Sequence, residues 1–306
     1  MSDIVILGIF VADCVFRAER QPRLGETVLG QSFLLGPGGK GSNQAVAAGK
    51  AGGKVTLITR LGRDAFADMA RGIWAASGVQ ASITEDADSY TGAASIFLQA
   101  ETGQNAIIVS PGAAGRIDLA DVDSRAGLIG GAKVFITQLE QPLPAARRAL
   151  EIARAGGAMT ILNPAPAAAL DDGLLALCDV LTPNESEAEL LTGLPVTTLA
   201  EAERAADALL ARGVGACILT LGDKGALYRD AKRSVHVPAV SAGPVVDTTG
   251  AGDAFNGGFA VALAEGRDVI DAMRFGCATA GISVTRPGAA AASPQRAEID
   301  ALLART

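Results

Sequence analysis

Short apolar runs alternate with amphipathic segments from residue 133 onward, and this alternation restricts the fold more than any other feature. The runs 134–137, 158–162 and 216–220 are continuous and apolar, as buried strands are. Segments between them, such as 144–154 and 199–212, repeat apolar residues at spacings of three and four, which indicates helices. This order predicts an α/β fold with a mainly parallel sheet covered on both faces.

The first half of the chain departs from this alternation. Residues 26–35 alternate weakly, and 93–99 with 105–110 predict a β-hairpin. Neither fits between the neighbouring strand and helix predictions. We interpret them as a small β appendage, a lid built from about 10–36 and 91–110, although ordinary edge strands are the alternative.

The composition and net charge of the chain restrict the partners and catalytic sites that it can have. The chain has 306 residues and neither a repeat nor a linker, so we expect a single domain over 1–306. A formal net charge of -7 argues against a nucleic-acid or anionic-membrane partner. His236 is the only histidine, which excludes a His-rich metal site and nearly excludes a Ser-His or Cys-His nucleophile. Four cysteines without metal or redox spacing fit a reducing cytoplasm.

The stretch 245–258 combines a strand end, a turn of small residues and a helix start. Such a turn presents free N–H groups with the positive end of the helix dipole behind them, which favours an anion such as phosphate. Gly250 and Gly252 let the backbone approach that anion closely. Asp253 would repel it, so this residue is either a general base or an ordinary helix-capping acid. The motif alone does not choose between them.

Two features near the N-terminus point to a ligand site. Asp13 lies just past the first predicted strand, 4–8, at the end where open α/β sheets bind ligands. A glycine-rich turn at 36–43 precedes a predicted helix at 44–51. Its spacing is not that of a Walker A loop, because a glycine follows the lysine.

Several stretches, in this order, resemble the PfkB carbohydrate kinase family, and among its members the ribokinase-like kinases. They are 11–13, 25–27, 38–45, 138–140, 163–166, 182–185, 220–222 and 247–257. The resemblance implies a three-layer α/β/α fold with a small β-sheet lid that also joins two subunits into a homodimer. It implies transfer of the γ-phosphate of ATP to the hydroxymethyl group of a small furanose, with ribose expected and deoxyribose, a ketose or a nucleoside as alternatives.

The resemblance also implies a role for each matching position. The catalytic set is Asp253 as the base, with Gly250, Ala251 and Gly252 in the anion hole. The sugar contacts are Val11, Asp13, Gly39, Lys40, Gly41, Ser42, Asn43, Glu140 and Asp253. The ATP contacts are Asn184, Thr220, Leu221, Gly222, Asp223, Lys224, Gly225, Gly252 and Cys277. Asn184 and Glu187 are associated with Mg²⁺, and a monovalent-cation site, expected to hold K⁺, comprises Asp247, Thr249, Ser283, Arg286 and Gly288.

Two positions depart from the ribokinase-like pattern, and some roles have simpler alternatives. Val11 stands where an asparagine touches the sugar, and Ala292 stands where a serine belongs in the cation loop. Lys40 could be a solvated lysine, and Glu187 could be an exposed helix residue. A dinucleotide-binding dehydrogenase is disfavoured because its G-x-G-x-x-G fingerprint does not follow the first strand. A non-catalytic sugar or nucleotide sensor is disfavoured because it needs no base at position 253.

Overall fold

A computed structural model describes residues 3–305 of the chain. The strands are β1 (Ile4–Leu7), β2 (Val11–Ala18), β3 (Ser32–Gly38), β4 (Val55–Leu61), β5 (Gln80–Glu85), β6 (Thr91–Gln99), β7 (Asn105–Gly112), β8 (Val134–Thr137), β9 (Met159–Leu162), β10 (Val180–Leu181), β11 (Ala216–Thr220), β12 (Ala226–Asp230) and β13 (Ser234–Val237). The helices are α1 (Lys40–Lys50), α2 (Ala65–Ala76), α3 (Leu119–Asp123), α4 (Ala126–Gly130), α5 (Leu143–Ala155), α6 (Asp172–Leu175), α7 (Glu185–Thr192), α8 (Leu199–Ala211), α9 (Ala251–Ala264), α10 (Val269–Ser283) and α11 (Arg296–Leu303).

Nine of the strands within residues 3–305 form one sheet, in the order β13-β12-β11-β10-β9-β8-β1-β4-β5. The strands from β11 to β5 are parallel, and β12 and β13 add an antiparallel hairpin at one edge. The mainly parallel sheet predicted from the alternation is therefore confirmed.

The two faces of β1 show how the layers are arranged. Ile4 and Ile6 pack into an apolar cluster with α1, α2, α9, α10 and α11. Val5 and Leu7 point the other way, into a second cluster with α3 to α8. All four side chains are buried, as expected of a central parallel strand covered by helices on both faces. The fold is therefore the predicted three-layer α/β/α arrangement.

A second sheet of four strands lies outside these layers, in the order β3-β2-β6-β7. These strands lie in the parts of the sequence where the small β-sheet was expected, which confirms the sheet, although the predicted strand bounds differ from the observed ones. The strand predicted at 26–35 is wrong at its start, because β3 runs from Ser32 to Gly38 and includes Pro37. Proline is compatible with this place because β3 is an edge strand, where an N–H is not needed for pairing.

Close backbone contacts set the start of α1, which begins at Lys40 and not at the predicted residue 44. Gly39 precedes it with φ of 88°, and a Cβ there would lie 2.5 Å from the Ile9 carbonyl oxygen. A Cβ on Gly8 would lie 2.6 Å from the Cα of Gly41. These glycines let α1 start directly against the end of β1.

None of the helices within residues 3–305 combines the length and apolar character that a membrane span requires.

Candidate active site

A cleft opens where β9, β10 and β11 end and where α1, α7 and α9 begin. Its lining residues are Lys40, Asn163, Ala165, Thr182, Asn184, Glu187, Thr220, Thr248, Gly250, Ala251, Gly252, Asp253 and Asn256. The carboxyl ends of parallel strands are the usual ligand-binding edge of an open α/β sheet. Eight residues with predicted roles therefore share one cleft, although they come from distant parts of the sequence.

The turn before α9 has the geometry of an anion site. Gly250 is left-handed, with φ of 72°, and α9 begins at Ala251. The Ala251 N–H donates to the Thr248 carbonyl at 3.2 Å. The N–H groups of Gly252 and Asp253 follow in the first helical turn, where a helix provides no acceptor. The predicted anion hole would therefore depend mainly on the N–H groups of Gly252 and Asp253.

The carboxylate of Asp253 contacts the neighbouring helix α1. Its Oδ2 accepts a hydrogen bond from Asn43 Nδ2, and its Oδ1 accepts one from Gln44 Nε2, both at 3.0 Å. Burial raises the pKa of this carboxyl, while the charge of Lys40 and the two amide donors oppose the rise. Because the carboxylate bonds to α1, the helix-capping alternative for Asp253 loses its support.

Asp13 and Asn43 provide polar groups around the start of α1. The Asp13 carboxylate lies against Gly38, where a Cβ would come within 2.3 Å of its Oδ2. Burial raises the pKa of Asp13 to about 6. The Oδ1 of Asn43 is buried and has no hydrogen-bond partner within residues 3–305. A buried oxygen without a donor is costly, so a bound hydroxyl group would satisfy it.

Glu140 is held beside the same cleft by the backbone of α1. Its Oε2 accepts the N–H of Lys40 at 2.7 Å. Burial raises the pKa of Glu140 to about 7; the Lys40 N–H and charge oppose the rise, while Asp253 and Asp13 add to it. The carboxyl of Glu140 can therefore donate or accept a hydrogen bond near neutral pH.

Three of the residues with predicted ligand contacts have buried side chains that do not line the cleft, namely Val11, Ser42 and Cys277. Val11 is 4% exposed within an apolar cluster, so it offers no hydrogen bond to a ligand. Ser42 is buried and accepts a hydrogen bond from Trp74 Nε1 at 2.9 Å, which turns its hydroxyl away from the cleft. Cys277 is buried in the core on α10, and burial raises the pKa of its thiol to about 12.

Asn184 and Glu187 cap the start of α7 reciprocally. The Asn184 N–H and Nδ2 donate to the two oxygens of Glu187 at 2.9 and 3.0 Å, and Asn184 Oδ1 accepts the Glu187 N–H at 2.8 Å. Burial raises the pKa of Glu187. The alternative of an exposed helix residue is wrong, because Glu187 is buried. A carboxylate of this kind in the cleft suits Mg²⁺, which keeps most of its waters and few protein ligands.

The loop after β11 is shaped by Gly225. Its φ is 99°, and a Cβ would lie 2.1 Å from the Val237 carbonyl oxygen, so only glycine fits. Thr220 lines the cleft, and Gly222 and Asp223 form a short turn behind it. Lys224 donates to the Thr197 carbonyl at 3.2 Å, and Leu221 is buried.

Asp247 connects the two segments, 247–249 and 283–288, that contain the predicted residues of the monovalent-cation site. Its Oδ1 accepts the Thr249 N–H at 2.9 Å and its Oδ2 accepts the Gly288 N–H at 2.8 Å. Although burial would raise its pKa, the hydrogen bonds from Thr249 and Gly288 bring the pKa of Asp247 below its usual value. Ser283 Oγ donates to the Ala280 carbonyl at 2.8 Å. Asp247 is therefore an anionic group that joins the turn before α9 to the loop after α10, and a monovalent cation beside it stays a prediction.

In residues 290–293, which follow this loop, three carbonyl oxygens surround the ammonium group of Lys50. Lys50 Nζ donates to the carbonyls of Ala290, Ala291 and Ser293 at 3.1, 3.1 and 3.2 Å. The side chain of Arg286 forms an ion pair with Glu298. These three carbonyls already accept hydrogen bonds from the Lys50 ammonium group, so the predicted monovalent-cation site stays a prediction.

Sequence reasoning assigned no role to several polar residues that the structure places here. Gln44, Gln138 and Asn163 occur in the stretches that resemble the family, and they form a buried hydrogen-bonded chain next to Asp253. Asn256 bridges Thr182 Oγ1 and the Gly252 carbonyl. Membership of the matching stretches was the only signal, since burial of a polar side chain is not visible in a sequence.

Comparisons with known proteins show which family the chain resembles over nearly its whole length. Residues 1–296 match the pfkB family carbohydrate kinases. The chain is 38% identical over 297 residues to a ribokinase of Haemophilus influenzae, covering 96% of each chain. It is 37% identical over 294 residues to a deoxyribokinase of Salmonella typhi, covering 95% of each. The structure of Arabidopsis thaliana ribokinase complexed with ribose and ATP matches with a TM-score of 0.92 at 30% identity, over 99% of this chain and 98% of that one. The chain therefore belongs to the pfkB family of carbohydrate kinases.

Proposed function

We propose that this protein is an ATP-dependent ribokinase that transfers the γ-phosphate of ATP to the hydroxymethyl group of ribose. One observation carries the proposal. The buried carboxylate of Asp253 lies in the first turn of α9, next to free N–H groups and beside the amides of Asn43 and Gln44. A base adjoining an anion site is the arrangement that phosphoryl transfer to a hydroxyl requires.

Each group around the cleft has a function in this reaction. Asp13, Asn43 and Glu140 hold sugar hydroxyls, and Asp253 accepts the proton of the attacking hydroxyl. The N–H groups of Gly252 and Asp253 stabilise charge on the transferred phosphoryl group. Lys40 adds a positive charge at the same cleft. Most of the catalysis then comes from positioning and electrostatics, as is general for phosphoryl transfer.

The residues toward the strand ends serve the nucleotide and its ions. Thr220 and the loop to Gly225 contact ATP. Glu187 and Asn184 hold hydrated Mg²⁺, which neutralises phosphate charge when it is bound. Asp247 and the carbonyls of 283–288 hold a monovalent cation, with K⁺ as the expected ion, and thereby order the turn before α9.

Ribose and 2-deoxyribose are both candidate substrates. Relatives of nearly equal identity are named ribokinase and deoxyribokinase. Val11 shares a face of β2 with Asp13 but offers only methyl groups to a sugar hydroxyl. An unsatisfied hydroxyl costs about 1–3 kcal/mol, so ribose loses affinity here relative to a site with asparagine. We expect the two sugars to be used within about tenfold of each other.

The assay for this proposal measures ADP release with Mg²⁺-ATP and a panel of ribose, 2-deoxyribose, fructose and adenosine. Sugar-dependent ADP release with ribose or 2-deoxyribose is the expected result. Binding of sugar without ADP release would favour a sensor, and release only with fructose or adenosine would move the substrate to a ketose or a nucleoside.

The free thiols of Cys14, Cys178, Cys217 and Cys277 support the cytoplasm as the compartment.

The small sheet supports a homodimer. Apolar side chains on β2, β3 and β7 are exposed, namely Phe16, Phe33, Leu34, Leu35, Ile107, Ile108 and Val109. Exposed apolar surface of this extent commonly marks an interface. Phe33→Glu and Ile107→Glu alter opposite faces of the sheet. Light scattering should show a dimer for the wild type and a monomer for the variant whose face forms the contact; a monomeric wild type would contradict this.

A further inference from the structure

Gln44 lies at the centre of a buried chain of amides that ends on Asp253. The side chain is 0% exposed, although it is polar. Its Nε2 donates to Asp253 Oδ1 and to Asn163 Oδ1, each at 3.0 Å. Its Oε1 accepts a hydrogen bond from Gln138 Nε2 at 2.6 Å. Every polar atom of the Gln44 amide is therefore engaged.

The hydrogen bond of Asn163 at the end of this chain fixes which way round the amide groups of Asn163 and Gln44 lie. Asn163 Nδ2 donates to the backbone carbonyl of Thr182 at 3.0 Å, and a carbonyl can only accept. The oxygen of Asn163 must therefore face Gln44, so Gln44 must present its N–H₂ to both Asn163 and Asp253. A reversed Gln44 amide would place its oxygen against a carboxylate and against the Asn163 oxygen.

The remaining amide, that of Gln138, is held by close backbone packing. Its Oε1 occupies the space that a Cβ would take at Gly8 or Gly41, at 2.6 and 2.9 Å. The Nε2 end of this amide faces Gln44, because Gln44 Oε1 can only accept a hydrogen bond. The Gln138 oxygen has no hydrogen-bond partner within residues 3–305. Gln44, the central member of the network, has every polar atom bonded, whereas the Gln138 oxygen at its edge is unpaired within the described residues.

We propose that Gln44 is a positioning residue for Asp253. It fixes the plane of the carboxylate and always presents a donor to Oδ1, which leaves the carboxylate aligned to take the proton of the sugar hydroxyl. The proposal rests on Asp253 being the base. Gln44 does not touch the reacting atoms itself, since both of its amide hydrogens are already committed.

The charged residues that act on Asp253 lie on elements other than its own helix α9, and a substitution at position 44 replaces none of them. Lys40 lies at the start of α1, Glu140 follows β8 and Glu187 lies on α7. Asp13 on β2 acts on Glu140. A shift in the titration of the base that appears only when Gln44 is changed therefore reports the lost N–H donor.

The test compares Gln44→Met with Gln141→Met. Methionine keeps the length and volume of glutamine but cannot donate. Gln141 is also buried and donates to Thr137 Oγ1 at 2.7 Å, but it does not contact Asp253. For Gln44→Met, the acid limb of kcat/KM against pH should move upward by about one unit or more, because the carboxylate has lost a donor. For Gln141→Met the limb should stay in place. An even loss at every pH in Gln44→Met would show a merely structural role and overturn the proposal.

A second variant covers the case in which Gln44→Met does not fold. Gln44→Glu has the same shape and places a second carboxyl against Asp253, so its acid limb should also move upward. A limb in the wild-type position in this variant would overturn the proposal. Asp253→Asn separates the two hypotheses: if it keeps more than about a tenth of kcat, the base assignment fails, whereas a dead Asp253→Asn with an unmoved limb in the Gln44 variants refutes only the positioning role.

Discussion

The substitution Gly252→Ala separates the stability of the anion turn from its function. Gly252 lies in the first turn of α9 with ordinary helical backbone, and a Cβ there would meet nothing within 4 Å. Alanine is a better helix residue than glycine by about 0.5–1 kcal/mol, so the fold should tolerate the change or gain slightly. The new methyl group, however, would extend from a residue that lines the cleft.

The magnitude follows from what the turn does. If the Gly252 N–H contacts the transferred phosphoryl group, a methyl group beside it keeps the oxygen at a distance. Loss of one such donor lowers kcat by about 10²–10³-fold, or roughly 3–4 kcal/mol of barrier. We therefore expect Gly252→Ala to have wild-type stability or better and a kcat lower by about 10²-fold or more.

Gly250→Ala is the contrasting variant. Its φ of 72° disfavours alanine, and its Cβ would lie 2.6 Å from the Ala289 Cβ. Left-handed backbone costs about 1–2 kcal/mol and overpacking about 1–3, so this variant should lose roughly 2–5 kcal/mol of unfolding free energy. Urea unfolding and sugar-dependent ADP release on both variants provide the measurements. A Gly252→Ala enzyme with near wild-type kcat would refute the close approach of a phosphoryl group to this turn.

Three further predictions concern the sugar site and the cation. The folded wild type binds a proton on Glu140 more tightly than the unfolded chain does, so its free energy of unfolding should fall by up to about 3 kcal/mol as the pH rises from about 4.5 to about 7. Glu140→Gln has no such proton, so its free energy of unfolding should rise relative to that of the wild type over the same range. Unfolding of both proteins measured across these pH values checks this. Val11→Asn should raise the ratio of kcat/KM for ribose to that for 2-deoxyribose by roughly 5- to 150-fold, and an unchanged ratio would show that position 11 does not set specificity. Replacing K⁺ by tetramethylammonium should lower kcat by about tenfold or more, because the loops joined by Asp247 lose order; equal rates in both salts would remove the cation from the account.

Hydrophobic patterns predicted the parts of the fold in which local preference and tertiary context agree. The strands Val134–Thr137 and Ala216–Thr220 begin and end where the sequence places them. The strand Val11–Ala18 was missed, because Asp13 and Arg17 interrupt its apolar pattern and the small sheet to which it belongs is only partly buried. The sequence 36–38 reads as a turn, but Gly38 pairs with Val11 in an edge strand.

The site shows a similar division. The resemblance to the family placed Lys40 and Asp253 in one site, and both line the cleft. It could not show that Asp253 bonds to Asn43 and Gln44 across about 210 residues of sequence, because such contacts depend on how α1 and α9 pack. The N-x-x-E spacing of Asn184 and Glu187 is also that of a capping box, and the structure has one there.

The base assignment of Asp253 is tested most directly by kcat for Asp253→Asn, measured by ADP release with ribose or 2-deoxyribose. Asparagine keeps the shape of the side chain but cannot accept the proton. We predict a fall in kcat of about 10²–10⁴-fold, or roughly 3–5 kcal/mol of barrier, with ATP affinity nearly unchanged. A variant that keeps more than about a tenth of wild-type kcat would contradict the assignment of Asp253 as the base, and with it the proposed reaction mechanism.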